Sequence, residues 1–256
     1  MAAFDECIFE LIAQLGTLKE RNAAQVQELY APGAPADLVE GLGVRIGAGA
    51  NPGIILRGDT SVEFGNPEVG SCSALLWTDD LSLVVDGRIT VIGPDVPESV
   101  GQSLPLAQVV LVAGSALDHG DHEALQQSAH VSDQVEGYMA KSTSEFVWAR
   151  VSHEAVAQGI DFAILGRALL YLVKTSVAKV SAAEVVFVTA SREDVDAVAT
   201  LVRQARVIGA RIVTENWRER GFDLDCDFDC SSCSDEEICD DIRDVLVATH
   251  AKSRSG

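Results

Sequence analysis

Asp86-Gly-Arg-Ile-Thr-Val-Ile-Gly-Pro-Asp95 is the stretch whose reading decides the fold. Its β-prone residues at 89–92 stand between Asp86-Gly87 and Gly93-Pro94, the pattern of a short strand held between turns. Asp86-Gly87 separates two β-rich runs and predicts a two-residue hairpin turn, because both positions tolerate positive φ. Working outward, comparable runs lie at 54–56, 61–64, 72–77, 81–85 and 108–112, with turn signals between them. Further on the period lengthens. Residues 118–141 read as a helix, 146–151 as a buried strand, 152–159 as a capped short helix ending at Gly159, and 162–177 as a longer helix. A strand at 185–189, a capped helix opening at Ser191 and a last strand at 211–214 follow. Upstream, Phe4, Ile8, Leu11, Ile12 and Leu15 recur at helical steps, and Val26, Leu29 and Tyr30 suggest a second helix.

This order predicts an α+β protein: a mixed or antiparallel sheet packed with helices, plus a short C-terminal Cys-rich metal-binding appendage. The expected division is 1–53, a helical segment with a Gly-rich loop; 54–217, the α+β domain; and 218–256, an acidic Cys-rich tail with a terminal helix. Composition narrows the partners. The 256 residues include 39 acids against 19 Lys and Arg, a formal charge of −20, with 47% apolar residues and only 5% aromatic. The core must therefore be mainly aliphatic. A charge of that sign repels phosphate backbones and anionic membrane surfaces, so neither nucleic acid nor a membrane is expected as a partner. No apolar run approaches the roughly 20 residues of a spanning helix. Met1-Ala-Ala-Phe-Asp-Glu-Cys7 puts acids where a secretion signal has its apolar core, which predicts a cytoplasmic protein.

Gly41-Leu-Gly-Val-Arg-Ile-Gly-Ala-Gly-Ala-Asn-Pro-Gly53 invites reading as a phosphate-cradling loop. Its spacing is neither GxGxxG nor a P-loop and no Lys follows, so it reads as turns around a short strand at 44–46. Four of the six cysteines crowd into Cys226-Asp-Phe-Asp-Cys230-Ser-Ser-Cys233-Ser-Asp-Glu-Glu-Ile-Cys239, a C-x3-C-x2-C-x5-C arrangement. Thiolates gathered this closely suit one metal centre. Structural zinc usually takes two Cys-x-x-Cys knuckles, and only one is present. The spacing therefore favours a [4Fe–4S] cluster, with zinc the alternative and free thiols the plain reading. Ten acids and one Arg lie between Asp223 and Asp244, a field that raises thiol pKa values and that a bound cation would relieve.

A resemblance now enters. Ile55-Leu-Arg-Gly-Asp-Thr-Ser-Val-Glu-Phe64, the Asp86–Asp95 block, Ser103-Leu-Pro-Leu106, Glu136-Gly137 and Trp148-Ala-Arg-Val-Ser-His-Glu-Ala-Val-Ala-Gln-Gly159 together resemble the central domain of CO-methylating acetyl-CoA synthase. The similarity runs over about 54–201. It implies a part in CO and acetyl-CoA one-carbon metabolism and a partner of the carbon monoxide dehydrogenase/acetyl-CoA synthase type. It also implies that Trp148 and Arg150 stand in a coenzyme A neighbourhood. Tyr138-Met-Ala-Lys-Ser-Thr-Ser-Glu145 replaces the Trp and Arg residues that the family carries just upstream, and the Cys-Gly-Cys of the family's nickel centre has no counterpart here. An accessory or docking subunit is thus expected; whether it is itself an enzyme stays open, and if it is, it would be part of a CO-methylating acetyl-CoA synthase (acyltransferase) assembly. The rival expectation is an independent iron–sulfur electron-transfer or redox-sensing protein with a redox partner.

Other constellations carry less. Asp118-His-Gly-Asp-His-Glu123 could bind a hard metal or zinc, yet acids beside His at a helix start usually complement the dipole. His153 reads as structural. Arg57, Arg88 and Arg150 are candidates for an anionic ligand, or for pairing with the many acids.

Overall fold

The computed structural model describes residues 3–31, 33–42, 45–46, 54–128, 135–142 and 146–219. In chain order the elements are α1 (Asp5–Arg21), β1 (Val26–Tyr30), α2 (Pro35–Val39), β2 (Thr60–Phe64), β3 (Ser71–Thr78), β4 (Arg88–Ile92), β5 (Ser103–Leu104), β6 (Leu106–Gly114), α3 (His119–Ser128), β7 (Tyr138–Ser142), β8 (Val147–Ser152), α4 (His153–Ala157), α5 (Phe162–Ser176), β9 (Val180–Val188) and α6 (Arg192–Glu219). Residues Met1–Val213 form one unit and Thr214–Gly256 another. Nearly all described residues belong to the first.

Two sheets form, so the α+β expectation holds with mixed strand directions. The larger has the order β1-β4-β9-β6-β3, and the smaller β5-β2-β8-β7. β9 runs parallel to β4 and antiparallel to β6, while β3 is parallel to β6. All nine residues of β6 are buried, and β9 is buried from Ala182 onward. Strands buried on both faces need continuous apolar sequence rather than alternation, which is what Val109-Val-Leu-Val112 and Val185-Val-Phe-Val188 supply. The one acid in β9, Glu184, is buried and bonded: Arg88 Nε donates to it at 3.0 Å and the Val85 amide at 2.9 Å. Arg88 is thereby an internal pairing residue and not a ligand contact.

Three aromatic rings tie the layers. Phe162 at the start of α5 lies 5.1 Å from Phe64 of β2 and 4.5 Å from Phe187 of β9, centroid to centroid. Asp161 caps that helix by accepting from the Ile164 amide at 2.8 Å. Gly166 allows α5 to lie on β4, since a Cβ there would come within 2.7 Å of Ile89. Gly93, at φ +116°, lets the chain leave β4 past Ala190, whose amide nitrogen a Cβ would approach to 2.3 Å.

Several expectations are corrected. Residues 26–30 form an edge strand, because pairing with β4 outweighs a three-residue helical spacing. Leu81–Leu83 is a single 3₁₀ turn begun by Asp80, whose carboxylate takes the Ser82 amide, and not part of a strand. Asp86-Gly87 consequently joins no hairpin. Asp86 instead accepts from the Ala183 amide and pairs with Lys174, and β4 finds its neighbours in β1 and β9. Residues 54–56 lie outside the strands. The helix expected over 118–141 stops at Ser128, and β7 begins at Tyr138. Residues 211–214 continue α6, where Val195, Val198, Val202, Ala205 and Ile212 keep a helical stripe buried. Of the strand expected at 44–46, Ile46 makes an isolated bridge to Val135 and position 44 is outside the described residues.

Thr90 in the middle of β4 is fully buried, and its hydroxyl has no hydrogen-bond partner among the described residues. Valine has the same shape without the stranded hydroxyl. Thr90→Val should therefore raise unfolding free energy by about 1 kcal/mol in denaturant titration; a loss of stability would mean that the hydroxyl is satisfied after all.

Candidate functional site

The register of β2 against β8 builds the site. Glu63 stands directly opposite Arg150, and Met139 of β7 opposite Arg150 from the other side. Directly opposed residues share a face, so Ser103, Glu63, Arg150 and Met139 form a row across the smaller sheet, with Trp148 and Lys141 in the next row. The reverse face carries Val62, Phe64, Val147, Ala149, Val151 and Ala140, all buried. Alternation along β8 is strict, buried and half-buried by turns. It follows that the polar face is fixed by the apolar one.

On that face Glu63 is the centre. Its Oε1 accepts from Arg150 Nε at 3.0 Å and from Trp148 Nε1 at 3.1 Å, and its Oε2 accepts from Asn66 Nδ2 at 3.1 Å and Ser103 Oγ at 3.4 Å. Arg150 also donates to the Ile55 carbonyl at 3.3 Å, and its guanidinium carbon lies 4.6 Å from the Trp148 ring centroid. The cation is thus stacked, paired and hydrogen-bonded at once. Burial pushes the Glu63 carboxyl up, but the bonds from Asn66, Arg150 and Trp148 outweigh it and hold the group below the ordinary glutamate range. A cleft of about 460 Å³ opens beside the cluster, with Arg57, Asn66, Glu68 and Ser103 on its walls. Two arginines and two glutamates leave it nearly neutral.

The structure sets Trp148 and Arg150, which the resemblance puts in a coenzyme A neighbourhood, side by side on one face of β8 and adds Glu63, which sequence reasoning did not single out. Its signal was present. Glu63 falls out of phase with the buried Val62 and Phe64, which marks it as a polar-face residue of a half-buried strand. The other matched blocks serve the fold. Asp95 accepts from the Phe162 amide at 2.9 Å and the Val96 amide at 2.6 Å, joining the β4 exit to α5; burial pushes its carboxyl up. Gly137, at φ +73°, lies where a Cβ would meet Ala155 at 2.5 Å and the Ser152 hydroxyl at 2.9 Å, so Glu136-Gly137 and the Ser152-capped α4 are matched pieces of one contact. His153 is exposed at the start of α4.

Asp118 and Asp121 bind Lys179 at 2.7 Å, and His122 is buried, accepting from Trp77 Nε1 at 3.2 Å and stacking on Phe4. That cluster is a structural one. Among the described residues no three His, Cys, Asp or Glu are placed to hold a metal ion. Cys226, Cys230, Cys233 and Cys239, together with the acids around them, lie outside the described residues. Among the described residues no helix is long and apolar enough to cross a membrane.

The Glu63 cluster has a pH signature. Because its folded carboxyl titrates below the unfolded value of about 4.3, it adds stability above that pH and loses it as pH falls through the folded value. Glu63→Gln should cost about 1–3 kcal/mol of unfolding free energy near neutrality. At a second, acidic pH below the folded value the two proteins should converge, since protonation leaves Glu63 as neutral as the glutamine. Urea titrations at the two pH values measure this, and a difference that persists in acid would assign the effect to packing.

Comparison with known proteins agrees with this frame. The family model described as CO dehydrogenase/acetyl-CoA synthase complex beta subunit matches residues 43–195. The acetyl-CoA decarbonylase/synthase complex subunit beta 2 of Methanosarcina thermophila is 24% identical over 174 residues, covering 67% of this chain and 36% of the relative. The carbon monoxide dehydrogenase/acetyl-CoA synthase subunit alpha of Moorella thermoacetica is 32% identical over 122 residues, 47% of this chain and 17% of the relative. The acetyl-CoA decarbonylase/synthase complex subunit beta of Methanopyrus kandleri is 31% identical over 122 residues, 47% of this chain and 26% of the relative. The alignments thus span about a third or less of these relatives' length. With more than half of its residues matched, including both sheets' central strands and the Glu63–Trp148–Arg150 face, the chain belongs to the CO dehydrogenase/acetyl-CoA synthase complex beta subunit family.

Proposed function

We propose that the chain acts as an accessory or docking subunit in CO and acetyl-CoA one-carbon metabolism, joined to an assembly of the carbon monoxide dehydrogenase/acetyl-CoA synthase type. One observation carries this reading. Arg150, the residue that the resemblance aims at coenzyme A, gives its donors to Glu63 and to the Ile55 carbonyl and lays its plane on Trp148. The smaller sheet lies within the residues matched to the family, and its Arg150 is engaged within the protein. The relatives named above are subunits of such complexes, which supports a partner of that kind. Co-purification with a carbon monoxide dehydrogenase subunit in fixed stoichiometry is the expected result; its absence, with a redox-active cluster present, would favour the independent electron carrier.

Coenzyme A gives a second check. Its phosphates need several converging cations to offset desolvation. The strand β7, which occupies the family's basic and aromatic segment, offers Lys141 alone, and the net charge of −20 works against approach of the ligand. Calorimetric titration should give a dissociation constant above roughly 1 mM, less than about 4 kcal/mol. Micromolar binding that Arg150→Ala abolishes would instead make this face a coenzyme A site.

Cys226, Cys230, Cys233 and Cys239 are proposed to hold one [4Fe–4S] cluster, with zinc as the alternative, on the strength of four thiols within 14 residues. Such a cluster would supply electron transfer at low potential in its acidic surroundings. Iron, sulfide and zinc analysis of anaerobically purified protein distinguishes the two metals. Cys233→Ser should remove most of the bound metal; undiminished content would exclude a shared site.

A further inference from the structure

Arg57 stands on the wall of the cleft beside Glu63, and its guanidinium has no hydrogen bond or ion pair among the described residues. Its backbone is fixed by a closed turn: the Arg57 carbonyl accepts from the Thr60 amide, and the Thr60 hydroxyl donates to the Leu56 carbonyl at 2.9 Å. Asp59, the nearest acid in sequence, lines a different cleft. Arg21, Arg88 and Arg150 are all paired with acids, and Arg167 donates to three backbone carbonyls. A chain with 39 acids against 19 Lys and Arg offers partners in excess, and Arg57 stands apart from them.

The same cleft holds a second donor without a partner. β2 bulges between Thr60 and Val62, so Ser61 has no opposite residue on β8. A bulge takes a residue out of the alternation of its strand and re-aims its side chain. Ser61 lines the cleft at 3% exposure, and its hydroxyl makes no hydrogen bond among the described residues. A hydroxyl so deeply set is costly to leave unpaired. The facing wall is held in place by backbone bonds, from the Gly101 amide to the Ser61 carbonyl at 2.8 Å and from the Glu63 amide to the Gln102 carbonyl at 3.1 Å.

Charge selects the ligand. The Glu63 carboxylate already accepts from Arg150, Trp148, Asn66 and Ser103, which leaves it little to offer a cation. Arg57 is therefore the one charge on these walls, besides Glu68, that is open to a ligand. One guanidinium fork matches one carboxylate, whereas a dianionic phosphate needs several converging cations and would meet Glu68 and the net charge of −20 with twice the repulsion. The remaining walls are hydroxyl and amide groups, and about 460 Å³ is the size of a small-metabolite pocket. We propose that this cleft binds a small organic monocarboxylate, with Arg57 and Ser61 taking the carboxylate and Gln102 and Ser103 facing a neutral, polar remainder.

NMR titration of the full chain with sodium glycolate should show saturable shifts with a dissociation constant below about 10 mM. Glycolamide, of the same shape but uncharged, should bind about tenfold more weakly or worse. Arg57→Gln should weaken glycolate binding about tenfold or more, and Ser61→Ala should weaken it several-fold. Arg57 is exposed and makes no bond in the fold, so its variant should keep the thermal midpoint of the parent. Lys141→Gln removes a cation from the same sheet but outside the cleft, and should leave the affinity unchanged. No saturation up to about 50 mM glycolate would overturn the proposal. Glycolamide or inorganic phosphate binding as well as glycolate would overturn it too, as would equal losses in Arg57→Gln and Lys141→Gln.

Discussion

Phe162 is the contact on which the rest of the architecture depends. Its ring is wedged between Phe64 of the smaller sheet and Phe187 of the larger, and its amide is held by Asp95 from the exit of β4. One residue thereby joins a helix start, two sheets and a turn. Truncation of such a ring costs about 3–5 kcal/mol, a large share of the 5–15 kcal/mol that separates most folded domains from the unfolded chain. Through Phe64 the constraint reaches the candidate site: fixing Phe64 toward the core fixes Glu63, its neighbour in β2, toward the opposite face.

The motifs that carry the family resemblance are, on this view, mostly architectural. Gly93 and Asp95 manage the passage from β4 toward α5. Gly137 and Ser152 form the two halves of one tight contact between β7's approach and α4. The Trp148 and Arg150 positions form a polar surface only because β8 alternates, and that surface is closed on itself by Glu63. A scaffold that preserves these devices can keep its shape while its ligand-facing residues change. A fold kept by such devices does not by itself fix an activity.

Charge is arranged with the same economy. Glu184 with Arg88, Asp194 with Arg21, and Glu63 with Arg150 place the scarce arginines against acids at the joints between elements, where partial burial makes each bond count. Arg203 and Arg211 are exposed on α6, where the surrounding stretch has no acid. The surplus negative charge of the chain is concentrated elsewhere, much of it between Asp223 and Asp244.

Local sequence determined the elements whose period matched their burial. The helices α1 and α5, the strands at 88–92 and 108–112, and the capped helices at Ser152 and Ser191 were legible because apolar spacing, caps and glycines all agreed. Trp148 and Arg150 were singled out by the family resemblance alone, and it is the alternation of β8 that puts them on one face. Tertiary structure decided the remainder. Val26–Tyr30 became a strand because β4 presented an open edge, and Leu81–Leu83 became a turn because Asp80 captured its backbone. The stretch at 211–214 stayed helical because its apolar residues continue a stripe begun sixteen residues earlier at Val195. Glu63, the centre of the candidate site, is 87 residues from Arg150 in sequence. No local pattern can announce a partner at that distance; only the register of β2 against β8, imposed by the buried face beneath, brings the two together.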